Sequence, residues 1–220
     1  MKTKELIPTV AFFAVSLLHL YGMLENQFLE MISKPLIIIT LIIVYLSGIK
    51  SFSFLYFLGL VFSLAGDVIL EFVGTNTEFL FTYGLAAFLI AHLFFIAVSS
   101  KFVTKVSLAQ VLLHSIPFLL LYGILMYTIY PNLGALLIPV IVYGLVISTF
   151  GVITFLMYTQ DKSKENLWLL SGATIFIVSD SILALNKFYQ ASIYLSVSIM
   201  ITYISAQYLI CRAMIKKSIN

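Results

Sequence analysis

The chain has 220 residues, of which 62% are hydrophobic and only 10% are charged, and its mean hydropathy is +1.12. So few polar residues could not cover the surface of a water-soluble domain, so the composition excludes a soluble protein. The net charge of +3 is small. We attribute the excess of cations to the membrane topology, since cytoplasmic loops are enriched in lysine and arginine, and we infer no nucleic-acid partner from it.

Apolar runs separated by charged or turn-rich breaks predict about eight membrane-spanning helices. A helix needs roughly 20 residues to cross the apolar core of a bilayer. The predicted spans are residues 6–24, 34–49, 52–72, 79–98, 106–128, 134–158, 166–186 and 191–211. The runs are continuous rather than alternating, which argues against a β-barrel. We therefore predict a single integral membrane domain over residues 1–220, folded as an all-α polytopic helical bundle.

The positions of the cations predict the orientation of the chain. Ten of the twelve lysines and arginines, all except Lys34 and Lys187, fall on the side shared by both termini. By the positive-inside rule both termini are expected to be cytoplasmic. The protein should therefore be a multi-pass protein, of the cytoplasmic (inner) membrane if its source is bacterial. Cys211 is the single cysteine, so an internal disulfide is impossible.

Two aspartates lie inside the third and seventh predicted spans. Asp67 and Asp180 each have a glycine eight residues before them and a leucine three residues after. They are 113 residues apart, about half of the chain, which is compatible with two similar four-helix halves. Each lies about six residues before the outward end of its span, on the order of 9 Å below the outer boundary. An ionisable side chain at this depth is costly and is usually retained for function.

Two carboxyl groups at one depth predict a paired acid site. If the two helices are neighbours, both carboxyls cannot ionise easily in a low-dielectric site, so one stays protonated near neutral pH. The pair would then supply a general acid and a general base. The alternative is structural, since an aspartate in a membrane can simply bond to a neighbouring helix. The matching contexts of the two residues favour function.

Residues near the aspartates are candidates for binding a substrate. Ser63 lies one turn before Asp67 on the same helix face. Lys34 opens the second predicted span, Lys187 ends the seventh, and Asn186 stands beside Lys187. Two ammonium groups at headgroup level would suit a phospholipid-like anion. The alternative for both lysines is that they only anchor helix ends at the interface.

Further candidates are polar residues on apolar spans, for which helix packing is the alternative explanation. They are Tyr83, His92, Tyr143, Tyr203 and Gln207. The three histidines, His19, His92 and His114, lack HExxH spacing and a nearby acidic ligand, so no metal site is expected. The chain also lacks a Walker loop, a dinucleotide fingerprint and a GxSxG elbow, so nucleotide, NAD and serine-esterase functions have no support.

Several segments match the pattern of one protein family when they are taken together. They are Lys34-Pro35, residues 62–70 with Gly66-Asp67, Gly84 with His92, residues 176–188 with the pattern SDxxLAxxKF, and residues 203–207. In these segments the chain resembles the YhhN family, which includes lysoplasmalogenases. The resemblance covers essentially the whole chain in order. It implies hydrolysis of the vinyl ether bond of lysoplasmalogens, a lysophospholipid substrate in the bilayer, to give a fatty aldehyde and glycerophosphocholine or glycerophosphoethanolamine. It also implies that Asp67 and Asp180 are the catalytic acids.

The types of residue present support this reaction independently of the family resemblance. A vinyl ether is hydrolysed by protonation of its β-carbon, which needs an acid, and the resulting oxocarbenium ion needs an anion and a water molecule. A protonated and an ionised aspartate supply the acid and the anion. No metal, nucleotide or organic cofactor is required.

Two functions of other classes stay open. A small proton-coupled transporter would also have duplicated halves and acids at matching depth. Transporters usually break the helices at their binding site, whereas Pro117 and Pro139 are expected to interrupt the fifth and sixth spans rather than the aspartate helices. A non-enzymatic lipid-binding protein would need no acid pair. The sequence indicates neither the preferred headgroup and chain length nor the oligomeric state.

Overall fold

The structure is a computed structural model that describes residues 3–71 and 78–218, and over these ranges it has eight α-helices and no strand. The helices are α1 Thr3–Glu25, α2 Gln27–Gly48, α3 Phe54–Glu71, α4 Glu78–Ser100, α5 Leu108–Ile129, α6 Leu137–Gln160, α7 Lys164–Phe188 and α8 Ile193–Lys217. Two short 3-10 turns, Tyr130–Asn132 and Gly134–Leu136, connect α5 to α6. All eight helices are long and apolar enough to cross a membrane. The prediction of an all-α polytopic membrane bundle is therefore confirmed.

The largest difference from the predicted spans is the start of the second helix. α2 begins at Gln27, and Asn26 is the only residue between α1 and α2. The Asn26 Oδ1 accepts hydrogen bonds of 3.1 Å from the backbone N–H groups of Phe28 and Leu29. This N-cap satisfies amides that a helix start leaves exposed, so α2 can begin before the apolar run does. Lys34 consequently lies about two turns inside α2, and the prediction that it opens the helix is wrong.

The prolines of α5 and α6 do not interrupt these helices, contrary to the prediction. Pro117 lies inside the continuous helix α5. Pro139 is the third residue of α6, in the first turn, where a missing N–H costs no helical hydrogen bond. The two aspartate helices, α3 and α7, contain no proline and are also continuous. The aspartates are thus not placed at helix breaks, which are typical of transporter sites.

The chain packs as two compact units. Unit 1 comprises residues Met1–Phe94 and Cys211–Asn220, and unit 2 comprises residues Phe95–Ile210. The boundaries fall inside α4 and α8, so the units are not two sets of four whole helices. Asp67 belongs to unit 1 and Asp180 belongs to unit 2.

Unit 1 brings the two ends of the chain together. Arg212 of α8 forms an ion pair of 2.6 Å with Glu5 in the first turn of α1, and both side chains are largely buried. The backbone N–H of Lys50, in the α2–α3 connection, donates to Ser218 Oγ at 3.3 Å. The first turn of α1 and the last turns of α8 therefore lie at the same end of unit 1. This agrees with the prediction that both termini share one side of the membrane.

Unit 2 depends on small residues at helix contacts. A Cβ atom at Gly144 of α6 would lie 2.4 Å from the Tyr122 ring of α5. A Cβ atom at Gly172 of α7 would lie 2.8 Å from the Ile210 side chain of α8. These distances are too short for a real Cβ, so glycine is what allows α5 to pack on α6 and α7 to pack on α8.

Candidate active site

Asp180 in unit 2 has a tyrosine partner from the neighbouring helix. It is half-buried on α7, and the Tyr143 hydroxyl of α6 donates a hydrogen bond to its Oδ2. Both residues line a cavity of about 50 Å³ between α5, α6 and α7. A water molecule needs about 10–15 Å³ of such space, so the cavity can hold a few water molecules beside the carboxyl group but not a lipid chain.

Two further predicted residues, both on α8, lie next to this pair. Gln207 donates a 3.3 Å hydrogen bond from Nε2 to the Tyr203 hydroxyl. Tyr203 in turn interacts electrostatically with Tyr143. Gln207 is fully buried, and no described residue donates a hydrogen bond to its Oε1. Tyr143, Tyr203 and Gln207, selected from the sequence as polar residues on apolar spans, thus form one polar cluster, in which Tyr143 contacts Asp180.

The cavity has three polar lining residues that the sequence analysis did not select. They are Tyr122, Ser148 and Ser181. The Ser181 hydroxyl donates to the Ile177 carbonyl at 2.7 Å, and the Tyr122 hydroxyl donates to the Ile141 carbonyl at 3.4 Å. No sequence pattern distinguishes these residues from other polar groups on apolar spans. Only helix packing decides which of them borders the cavity.

Asp67 in unit 1 lies in a more tightly packed place. It is 4% exposed on α3, and Ser63 one turn earlier is fully buried. The Ser63 hydroxyl donates to the Gly59 carbonyl of its own helix at 3.0 Å. Beside Asp67, a Cβ atom at Gly66 would lie only 2.5 Å from the Phe88 ring of α4. Asp67 and Ser63 therefore share a buried face of α3, and the role of Ser63 in substrate binding stays a prediction.

His92 and Tyr83, both on α4 in unit 1, have opposite surroundings. His92 is completely buried, and its Nδ1–H donates to the Phe88 carbonyl at 2.8 Å. Tyr83 is 60% exposed, so it points away from the interior of unit 1. A role of Tyr83 in the site would require contact with a bound molecule at this outer face.

Lys34 is engaged in an ion pair rather than placed at a helix end. Its Nζ lies 2.9 Å from the Oε2 of Glu71, the last residue of α3. The two side chains are only 18% and 14% exposed, so water screens the pair weakly. Glu71 lies one turn beyond Asp67. A substrate phosphate at Lys34 would therefore have to compete with the Glu71 carboxylate.

Lys187 and Asn186 lie at the end of α7 in unit 2. Lys187 is the next-to-last residue of the helix and is exposed, so its predicted place at a helix end is confirmed. The Asn186 amide is used in the α7–α8 connection, where Oδ1 accepts from the Ser192 N–H at 2.8 Å and Nδ2 donates to Ser196 Oγ at 3.2 Å. Asn186 thus stabilises the α7–α8 connection. Its role in substrate binding stays a prediction.

The other histidines and the cysteine, residue types that can bind metals, form hydrogen bonds or are buried. His19 Nδ1 lies 3.1 Å from Ser33 Oγ, and the His114 Nδ1–H donates to the Gln110 carbonyl at 2.6 Å. Cys211 is buried in unit 1. Over residues 3–71 and 78–218, no three His, Cys, Asp or Glu side chains are grouped so that they could hold a metal ion.

A comparison with known families gives a match over most of the chain. The YhhN family model matches residues 29–214, from the first turn of α2 to near the end of α8. The matched range includes Asp67, Asp180 and the Tyr143, Tyr203 and Gln207 cluster. No curated protein and no solved structure matches the chain. Because the match extends over far more than half of its length, the chain belongs to the YhhN family.

Proposed function

We propose that this protein is a membrane hydrolase that cleaves the vinyl ether bond of lysoplasmalogens. The products would be a fatty aldehyde and glycerophosphocholine or glycerophosphoethanolamine. Membership of the YhhN family fits such a role. The observation that carries the proposal is that Asp180, held by Tyr143, borders a cavity with room for water. A hydrolase needs a base beside its water molecule, and Asp180 is in a position to be that base.

Asp180 is proposed as the carboxylate that activates water. The hydrogen bond from Tyr143 limits the rotation of the carboxyl group, and an orienting partner of this kind improves a general base. The surrounding apolar lining keeps other solvent away from the reacting atoms. If the source is bacterial, we place this chemistry in the cytoplasmic membrane.

Asp67 is proposed as the proton donor. Its carboxyl would transfer a proton to the β-carbon of the vinyl ether, and the double-bond electrons would form the new C–H bond. Water would add to the resulting oxocarbenium carbon and lose a proton to Asp180. The hemiacetal would then break its bond to the glycerol oxygen, which takes up the hydroxyl proton. One water is consumed, and proton exchange restores both aspartates.

The proposal is tested by incubating the purified protein with a lysoplasmalogen and measuring the fatty aldehyde. In heavy water, one deuterium should appear on the carbon next to the aldehyde group. In ¹⁸O-labelled water, with the aldehyde reduced at once, the label should appear in the fatty alcohol and not in the glycerol hydroxyl. Label in the glycerol fragment, or faster cleavage of an ester lysolipid, would contradict the proposal.

A further inference from the structure

A second and larger depression opens in unit 2 where α5 and α7 end. Its volume is about 730 Å³, and its lining includes Gly123, Met126, Tyr127, Tyr130, Pro131 and Tyr189. We call it the tyrosine groove. Small-molecule sites usually have volumes of about 300–1,000 Å³. The groove is therefore large enough for a hydrocarbon chain, unlike the cavity at Asp180.

The three tyrosines place the groove at the boundary between the lipid headgroups and the acyl chains. Tyr127, Tyr130 and Tyr189 are 88%, 61% and 64% exposed. They lie in the last turn of α5, in the following 3-10 turn and just after α7. Tyrosine at the ends of spanning helices is typical of the boundary between headgroups and acyl chains, because its ring is apolar and its hydroxyl is polar.

The walls of the tyrosine groove are held together by a side-chain hydrogen bond. The Asn132 Nδ2 donates a 2.7 Å hydrogen bond to the Phe188 carbonyl. This bond ties the turn that carries Tyr130 and Pro131 to the end of α7, which is followed by Tyr189. The groove is therefore a formed feature of unit 2 rather than a gap between independent helix ends.

Met126 connects the tyrosine groove to the site. Its side chain lines both the groove and the cavity that contains Asp180. Methionine has three flexible torsions, so such a wall can move aside at little cost. The exposed Lys187 lies two residues before Tyr189 and seven residues beyond Asp180, on the order of 10 Å along the helix. A cation suited to a phosphate and a carboxyl group suited to the reacting bond thus lie about two turns apart on α7.

We propose that the tyrosine groove is the entrance through which a single-chain lysophospholipid reaches Asp180 sideways from the bilayer. The hydrocarbon chain of the lipid occupies the groove, and its phosphate lies near Lys187. The vinyl ether end of the hydrocarbon chain passes Met126 to reach Asp180. The chemistry of the occupant follows from the apolar and tyrosine lining, the nearby cation and the membrane setting. The identity of the lipid as a lysophospholipid rests on the proposed function.

Gly123 offers a way to fill the groove without disturbing the fold. A Cβ atom at Gly123 would meet no described heavy atom within 4 Å, so a larger side chain there takes up groove space. Gly123→Phe is the test variant. Ile124→Phe is the matched control, because Ile124 is the next residue of α5, is 67% exposed and does not line the groove.

The probe is a lysophospholipid with a saturated alkyl ether chain, which the enzyme cannot hydrolyse, and its binding is measured beside aldehyde release. Gly123→Phe should weaken probe binding and kcat/KM by about tenfold or more, while Ile124→Phe should leave both within about twofold. Equal values for the two variants would overturn the entrance. If wild-type protein releases no aldehyde but Gly123→Phe alone loses probe binding, the proposed function fails and the groove stands.

A thiol-labelling experiment covers the case in which Gly123→Phe does not fold. Cys211 is the single natural cysteine and is completely buried, so an added cysteine is the one that a maleimide modifies in folded protein. The probe should slow labelling of Gly123→Cys and leave labelling of Ile124→Cys unchanged. Equal protection of both positions, or of neither, would overturn the proposal.

Discussion

Asp67 and Asp180 have the same local sequence pattern but different surroundings. Asp67 is 4% exposed and stands where Gly66 brings α3 close to the Phe88 ring of α4. Asp180 is half-buried, accepts a hydrogen bond from Tyr143 and borders a cavity with room for water. The comparison shows that a helix pattern sets the position of an acid along its own helix. The packing of the neighbouring helices decides whether that acid lies in a closely packed place or beside a cavity.

The outward ends of the two aspartate helices differ as well. Beyond Asp67, Glu71 is paired with Lys34 inside unit 1. Beyond Asp180, α7 ends with the exposed Lys187 and with the tyrosine groove. The cation at the end in unit 1 is largely buried in an ion pair, whereas the cation at the end in unit 2 is exposed. The following predictions test this difference.

The largest effect is expected when either carboxyl group is replaced by an amide. Asp67→Asn and Asp180→Asn keep the side-chain volume but remove the acid and base, so kcat should fall by about 10²–10⁴-fold in each. The double variant should be little slower than the slower single variant, because the two groups act in successive steps of one reaction and the slower step sets kcat. Aldehyde release measures kcat, and monodispersity controls for folding. Full activity in the folded fraction would mean that the aspartates are structural.

The next largest change in kcat should distinguish the polar neighbours of the two aspartates. Tyr143→Phe removes the hydrogen bond to Asp180, and a bond to a charged group contributes about 1.5–3 kcal/mol, so kcat should fall roughly 10- to 150-fold. Ser63→Ala is the matched change in unit 1, and it should alter kcat less than about threefold because the Ser63 hydroxyl is bonded to its own helix. Similar losses in both variants would remove the difference between the two sites.

Stability should respond differently to one added methyl group in the two units. Gly66→Ala puts a Cβ about 2.5 Å from the Phe88 ring, and overpacking of this kind should lower the free energy of unfolding by about 1–3 kcal/mol. Gly123→Ala meets open space and should raise it by up to about 1 kcal/mol, because alanine is the better helix former. Thermal unfolding in detergent measures both changes. A stable Gly66→Ala variant would show that α3 and α4 can separate beside Asp67.

The smallest effect concerns the two lysines. Lys187→Met should raise KM by about fivefold with little change in kcat, since a basic residue near a phosphate contributes about 1 kcal/mol and lies away from the breaking bond. Lys34→Met should change KM less, because Glu71 already occupies Lys34, and should instead lower stability by leaving Glu71 unpaired. Steady-state kinetics and thermal unfolding separate the two outcomes. A larger KM change for Lys34→Met would place the anion site in unit 1.

The places where sequence-based expectations were wrong share a physical cause. The polar first turns of α2 do not look like part of a span, but Asn26 satisfies their free amides and lets the helix start early. Pro139 looks like a helix breaker but lies in the first turn of α6, where it removes no helical bond. Hydropathy measures preference for lipid, whereas a helix boundary depends on hydrogen bonds at a few atoms.

The sequence by itself determined the membrane setting, the eight helices and the presence of two carboxyl groups within apolar spans. These follow from sums over many residues, or from the high cost of a carboxyl group in an apolar run, and neither depends on which helices are neighbours. The tertiary structure alone decided that Tyr143 bonds to Asp180, that Lys34 is paired with Glu71, and that Met126 lines both the groove and the cavity. Such contacts depend on the rotation and distance of helices that are far apart in the chain, which close packing of side chains sets.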